Sequence, residues 1–135
     1  MVSQSRSRGR KVSRLLRAGV SKRNIGKTFD TFRTDNKRQI EALNHCKQLC
    51  NDIIDKKISK NTFMLGGVGT GKTHLASSIV HELLDKKSVE IVRFIELMRE
   101  LKETWRRDSE NTESKIINYY GKLDLLIIDE VGIQS

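Results

Sequence analysis

No run of apolar residues in this 135-residue chain approaches the roughly 18 needed to cross a bilayer, which excludes a membrane-spanning helix. Behind the positively charged N-terminus there is no apolar segment, so a secretory signal is not expected. Cysteine is scarce: Cys46 and Cys50 are too few for a disulfide scaffold and suit a reducing compartment, with the cytoplasm as the expected location. No internal repeat is found. Acidic residues are missing altogether from residues 1–29, which nevertheless carry nine basic ones, Arg6, Arg8, Arg10, Lys11, Arg14, Arg17, Lys22, Arg23 and Lys27. Residues 30–135 then hold 26 − 9 = 17 basic and 17 acidic groups, so the formal net charge of +9 belongs to the leader. Such a segment suits a polyanion, because each neutralised phosphate releases condensed counterions. The plainer alternative is a solvated, partly disordered tail.

What is present suits one small soluble domain: 36% of residues are hydrophobic and 32% are charged. The first seven residues, rich in serine and arginine, are expected to be disordered. A short basic helix is expected over 9–18, with Leu15 and Leu16 on one side and Gly19 at its left-handed end. Residues 20–33 read as an irregular linker whose Phe29 and Phe32 either cover an apolar surface of the next unit or cluster locally. From 35 to 57 apolar residues recur three or four apart (Ile40, Leu43, Cys46, Leu49, Cys50, Ile53, Ile54), which predicts a helix capped by Thr34 or Asp35. A buried strand over 61–65 follows, then a helix over 73–86 with Leu75, Ala76, Ile79, Val80, Leu83 and Leu84 inward. Next come a β-branched strand over 89–94, a helix over 96–107 with Met98, Leu101 and Trp105 inward, a short helix around 113–120, and a strand over 123–129. Alternation of strands and helices implies a three-layer α/β fold with a parallel sheet and crossover helices.

The sharpest signal is Gly66-Gly67-Val68-Gly69-Thr70-Gly71-Lys72-Thr73, a full match to G-x-x-x-x-G-K-[ST] set between the first strand and its helix. Glycines let the backbone curl tightly and leave no side chain between its N–H groups and a polyphosphate. The helix that follows adds its positive end. Lys72 is expected on the β- and γ-phosphates, and the Thr73 hydroxyl on Mg²⁺. His74, next along, could approach a phosphate or simply lie on the helix surface. ATP with Mg²⁺ is therefore the expected ligand.

A second element is Leu125-Leu126-Ile127-Ile128-Asp129-Glu130, an apolar strand with two acids at its carboxyl end, 56 residues after Thr73. Ligands of open α/β sheets bind at that end. Asp129 could hold a Mg²⁺-bound water, and Glu130 could polarise the water attacking the γ-phosphate.

These two motifs, with the ending Leu123 to Gln134 and the lead-in Ala18-Gly19-Val20 and Thr28-Phe29-Asp30-Thr31-Phe32, resemble the DnaC family of helicase loaders. The related IstB transposition helpers are the alternative within the resemblance. It spans residues 14–134. It implies an AAA+ P-loop ATPase domain over 34–135, behind a basic extension and linker over 1–33, that binds single-stranded DNA, assists a replicative helicase and can self-assemble. It also points to Lys102 and Trp105 as single-strand DNA contacts, a base stacking on the indole and a phosphate on the ammonium. The plain reading of the same pair is a core tryptophan and a solvated lysine.

Two departures from the family pattern stand out. Family members carry a longer helical region ahead of the core. Their sensor residues, arginine finger and helical lid would all lie beyond Ser135, as would the strand that inserts between the loop strand and the acidic strand. The expectations are a gap at the centre of the sheet and a truncated loader or remnant with weak ATP binding and little turnover, since an arginine finger is worth about 10³ or more in rate. A non-enzymatic remnant whose leader alone binds nucleic acid is the further alternative. Cys46 and Cys50 share the apolar stripe of their helix and read as small core residues, because zinc would need four ligands and His45 points elsewhere. His81-Glu82 begins like a zinc-protease motif, but Asp85 stands where its second histidine would be.

Overall fold

The computed structural model describes residues 2–56, 61–65, 71–106 and 112–129. Helix α1 spans Val2–Arg17, so it starts well before the expected Gly9. Leu15 and Ala18 are 1% and 5% exposed, and a helix anchored at that end extends backwards through serines and arginines that tolerate it. Its end is closed in a Schellman pattern: Val20 N–H donates to Leu15 O and Gly19 N–H to Leu16 O, both at 3.0 Å. Gly19 has φ +99°, and a Cβ there would lie 2.1 Å from the carbonyl oxygen of Ile91. Only glycine fits that contact.

Two 3₁₀ turns, Lys22–Asn24 and Phe29–Thr31, make up much of the linker. Phe29 is buried and Phe32 packs against the core, so the aromatic pair covers an apolar surface. Helix α2 spans Lys37–Ile54 and is capped by Asn36, not by Thr34 or Asp35. Asn36 Oδ1 accepts from Gln39 N–H at 2.9 Å, and Gln39 Oε1 accepts from Asn36 N–H at 3.2 Å, a reciprocal box. Ile40, expected inward, is 45% exposed. The buried stripe begins only at Cys46, because 18 residues of α2 run past the 12 of its partner helix α3, Lys72–Leu83.

Strands β1 (Asn61–Leu65), β2 (Val89–Arg93) and β3 (Leu125–Asp129) form one parallel sheet in the order β1-β3-β2. The expected gap beside β3 is absent. β3 pairs directly with both neighbours, with Phe63 and Ile91 opposite Ile127. Closing up in this way satisfies main-chain groups that a gap would leave unpaired. The outer edge of β2 is partly covered as well, since Ile91 N–H donates to Ala18 O at 2.7 Å.

Helix α4 spans Phe94–Glu103 and α5 spans Glu113–Gly121. The β1→β2 and β2→β3 crossovers run in opposite directions across the sheet, so the right-handed rule puts α3 on one face and α4 with α5 on the other. α3 is sandwiched between sheet and α2, and Ile79, Val80 and Leu83 are fully buried there against Leu125 and Ile127. Leu15, Ala18, Val20 and Phe29 join the same cluster, so the stretch from Leu15 to Phe29 shares the core of the rest. Trp105, expected inward on the third helix, lies past the end of α4 and is 70% exposed. No helix of the described residues is long and apolar enough to cross a membrane.

Candidate nucleotide site

All three strands end at one edge of the sheet, at Leu65, Arg93 and Asp129, and the register sets Asp129 between the other two. Leu65 is the last residue before the glycine-rich loop. The strand carrying the acid and the strand feeding the loop therefore stop side by side. Asp129 is 9% exposed at the end of β3. Gly66, Gly67, Val68, Gly69, Thr70 and Glu130 lie outside the described residues.

Beyond the loop, Gly71 is the N-cap of α3, with Lys72 and Thr73 half-buried in the first turn. Among the described residues no side chain caps this helix, and no acid sits in its first turn. The first N–H groups of a helix lack intrahelical partners and carry the positive end of its dipole, so this turn suits an anion. Gly71 is also confined sterically: a Cβ there would meet Phe32 Cε2 at 3.1 Å and Cζ at 3.3 Å. The linker ring thus packs directly against the end of the loop.

His74 is turned another way from the phosphate contact considered for it. Its Nε2 lies 2.8 Å from Thr28 O and 3.0 Å from Thr31 Oγ1, and its ring meets Phe32 edge-on at 5.3 Å between centroids. A carbonyl only accepts, so Nε2 carries the proton and donates. Two further side chains on the same stripe, spaced three and four residues apart, do likewise. Ser77 Oγ lies 2.7 Å from Asn24 O and 2.8 Å from Lys27 O, and His81 Nε2 lies 2.5 Å from Ile25 O. His74, Ser77 and His81 thereby fasten the linker along the helix that starts at the site. Sequence reasoning missed this clasp, although a polar stripe at helical spacing on an otherwise apolar helix was the available signal.

The remaining sites fall elsewhere. Lys102 is exposed on α4, and a groove beside it is lined by Ile95, Met98, Arg99, Glu103 and Arg106. Tyr120 on α5 ties to α4 by donating to Glu100 Oε2 at 3.0 Å, and burial together with that bond raises its pKa. Cys46 and Cys50 are buried on α2, and desolvation pushes their thiols up to about 11 and about 12. Both are neutral and inert at ordinary pH, as small core residues are.

A family profile for the IstB-like ATP binding protein matches residues 3–135. Over 120 residues the chain is 35% identical to the replicative helicase loader DnaC of Escherichia coli (strain K12), covering 88% of this chain and 48% of that protein. It is 31% identical over 131 residues to the DnaC of Buchnera aphidicola subsp. Baizongia pistaciae, covering 96% and 52%. A further DnaC, from Buchnera aphidicola subsp. Acyrthosiphon pisum, is 33% identical over 127 residues, covering 93% and 51%. The chain spans about half the length of the curated relatives it matches.

Proposed function

The chain belongs to the IstB-like ATP-binding protein family, and from that premise we propose that it binds ATP with Mg²⁺ as a helicase-loader-type protein of DNA replication in the cytoplasm. One observation carries the reading: Leu65, which feeds the glycine-rich loop, stands directly beside the buried Asp129 at the carboxyl edge of the sheet. In this reading the amides of Gly66, Gly67, Val68, Gly69, Thr70 and Gly71 cradle the phosphates, and Lys72 pairs with the β- and γ-oxygens. The Thr73 hydroxyl and, through a water, Asp129 would hold Mg²⁺, which would supply charge neutralisation on the phosphates, and Glu130 would act as the base if water attacks. His74 is left to the linker clasp. Titration of a fluorescent ATP analogue is the test: Lys72→Ala should weaken binding about tenfold or more, since it removes a charge-assisted contact. Equal affinity in both proteins would contradict the assignment.

The proposed partners are a replicative helicase and single-stranded DNA, with self-assembly of the chain as a third contact. Trp105, 70% exposed beside the exposed Lys102, supports the DNA contact, because an accessible indole can take an unpaired base. Glu96, Glu100 and Glu103 on the same helix oppose it. A second reading, a helper of a transposase, draws support from the family profile itself. Pull-down with a replicative helicase against a transposase separates the two.

A further inference from the structure

The leader is not a loose tail. Helix α1 is seated on the core by Leu15 and Ala18, and its closing turn is bonded to the edge of the sheet. Every charged side chain it offers outward among the described residues is basic. Arg8, Arg10, Lys11, Arg14 and Arg17 are all exposed, and no acidic residue belongs to this helix. Arg10, Arg14 and Arg17 are spaced four and three apart, which puts them on one face, and with Gly9 and Ser13 they line a single shallow groove. Arg14 is fixed in the middle. Its Nη1 donates to Asp85 Oδ1 at 2.6 Å and its Nη2 to Leu84 O at 2.7 Å, which ties α1 to the end of α3. Among the described residues, Arg8, Arg10, Lys11 and Arg17 make no ion pair.

We propose that this face of α1 is a seat for the phosphodiester backbone of single-stranded DNA, gripped by Arg10 and Arg17, with the Ser13 hydroxyl and Arg14 between them. The chemistry selects that occupant. Arginine presents a planar fork of donors matched to phosphate oxygens. From Arg10 to Arg17 the helix rises about 10 Å, enough for the two guanidinium groups to reach different phosphates of one strand. A membrane surface fits poorly, because Leu15 is spent in the core and, among the described side chains of α1, Leu16, at 38%, is the one exposed large apolar residue, too little to enter lipid. A protein partner fits poorly for the same reason, since protein interfaces rest on buried apolar or aromatic anchors. Single strand is chosen over duplex because the chain also exposes Trp105, a platform for an unstacked base. The inference rests on the DNA-handling part of the proposed function and is independent of nucleotide binding.

The test is fluorescence anisotropy of the full chain with a labelled oligodeoxythymidine of about 20 nucleotides over a range of salt. Arg10→Ala/Arg17→Ala should bind about tenfold more weakly at low salt, and the slope of log affinity against log salt should fall by about 1.4, two phosphates at roughly 0.7 each. Arg10→Lys/Arg17→Lys should keep most of the slope, and circular dichroism should be unchanged in both, because the side chains are exposed. An unchanged affinity and slope in the alanine variant overturns the seat on α1. If Trp105→Ala loses binding while the α1 variant does not, the seat falls and the DNA reading stands. No binding by the unaltered chain overturns both. Tighter binding to a duplex of equal length overturns the choice of single strand.

Discussion

The two faces of the sheet are built to different standards. On one, seven of the twelve residues of α3 are buried, held between the strands and α2 and fastened to the linker by His74, Ser77 and His81. On the other, neither α4 nor α5 has a buried residue. Ile95, Trp105, Ile117 and Tyr119, four of the exposed large apolar side chains, all lie on α4, on α5 or just beyond α4. A helix covered on both sides is held rigid; one covered on a single side keeps a solvated face. The difference matches the roles proposed here. A phosphate site needs its first turn held still, and α3 supplies that turn. A surface for partners needs exposed aromatic and basic groups, and the α4 face has them.

Core truncation should separate the faces most widely. Ile79→Ala, at a fully buried position on α3, should cost about 2–5 kcal/mol by denaturant unfolding. Ile117→Ala on α5, 57% exposed, should cost under about 1 kcal/mol. Comparable losses would break the contrast. Ser77→Ala comes next, at about 1–2 kcal/mol, because it removes the one hydroxyl donor shared by the Asn24 and Lys27 carbonyls, at a position 1% exposed. A loss that also raises protease cutting within residues 21–33 would tie the effect to the clasp; no change in either would deny it. An effect confined to high pH belongs to α2. Its thiols titrate near 9.0 when unfolded but at about 11 and about 12 when folded, so the unfolded chain releases protons first as pH rises. Their contribution is intact below pH 9 and fades through pH 11 to 12, which Cys46→Ala/Cys50→Ala should flatten in an unfolding series against pH.

Much of this was legible in the residues. The strand and helix that flank the glycine-rich run, the acidic strand and the alternation of strands and helices follow from local patterns, and a glycine at a helix end announced the left-handed turn at Gly19. Tertiary facts were not legible. The α2 cap went to Asn36 because Gln39, not a neighbour of Thr34, closes the box. Ile40 has the right period but no partner helix opposite it. The burial of Leu15 and Ala18 depends on the edge of β2, 70 residues or more away in sequence, which no periodicity reports. Trp105 looked like core because its spacing from Leu101 continues the stripe, but α4 ends before it. The expectation of a central gap failed for a physical reason: β1 and β3 pair directly, which leaves no unpaired row of main-chain groups between them.

Hydrogen exchange with and without ATP and Mg²⁺ tests the central claim most directly. Slowed exchange concentrated in residues 66–75 and at the end of β3, with α4 and α5 unchanged, is the predicted result. No slowing in those segments at saturating nucleotide, or slowing confined to α4 and α5, would contradict a phosphate site between β1 and α3.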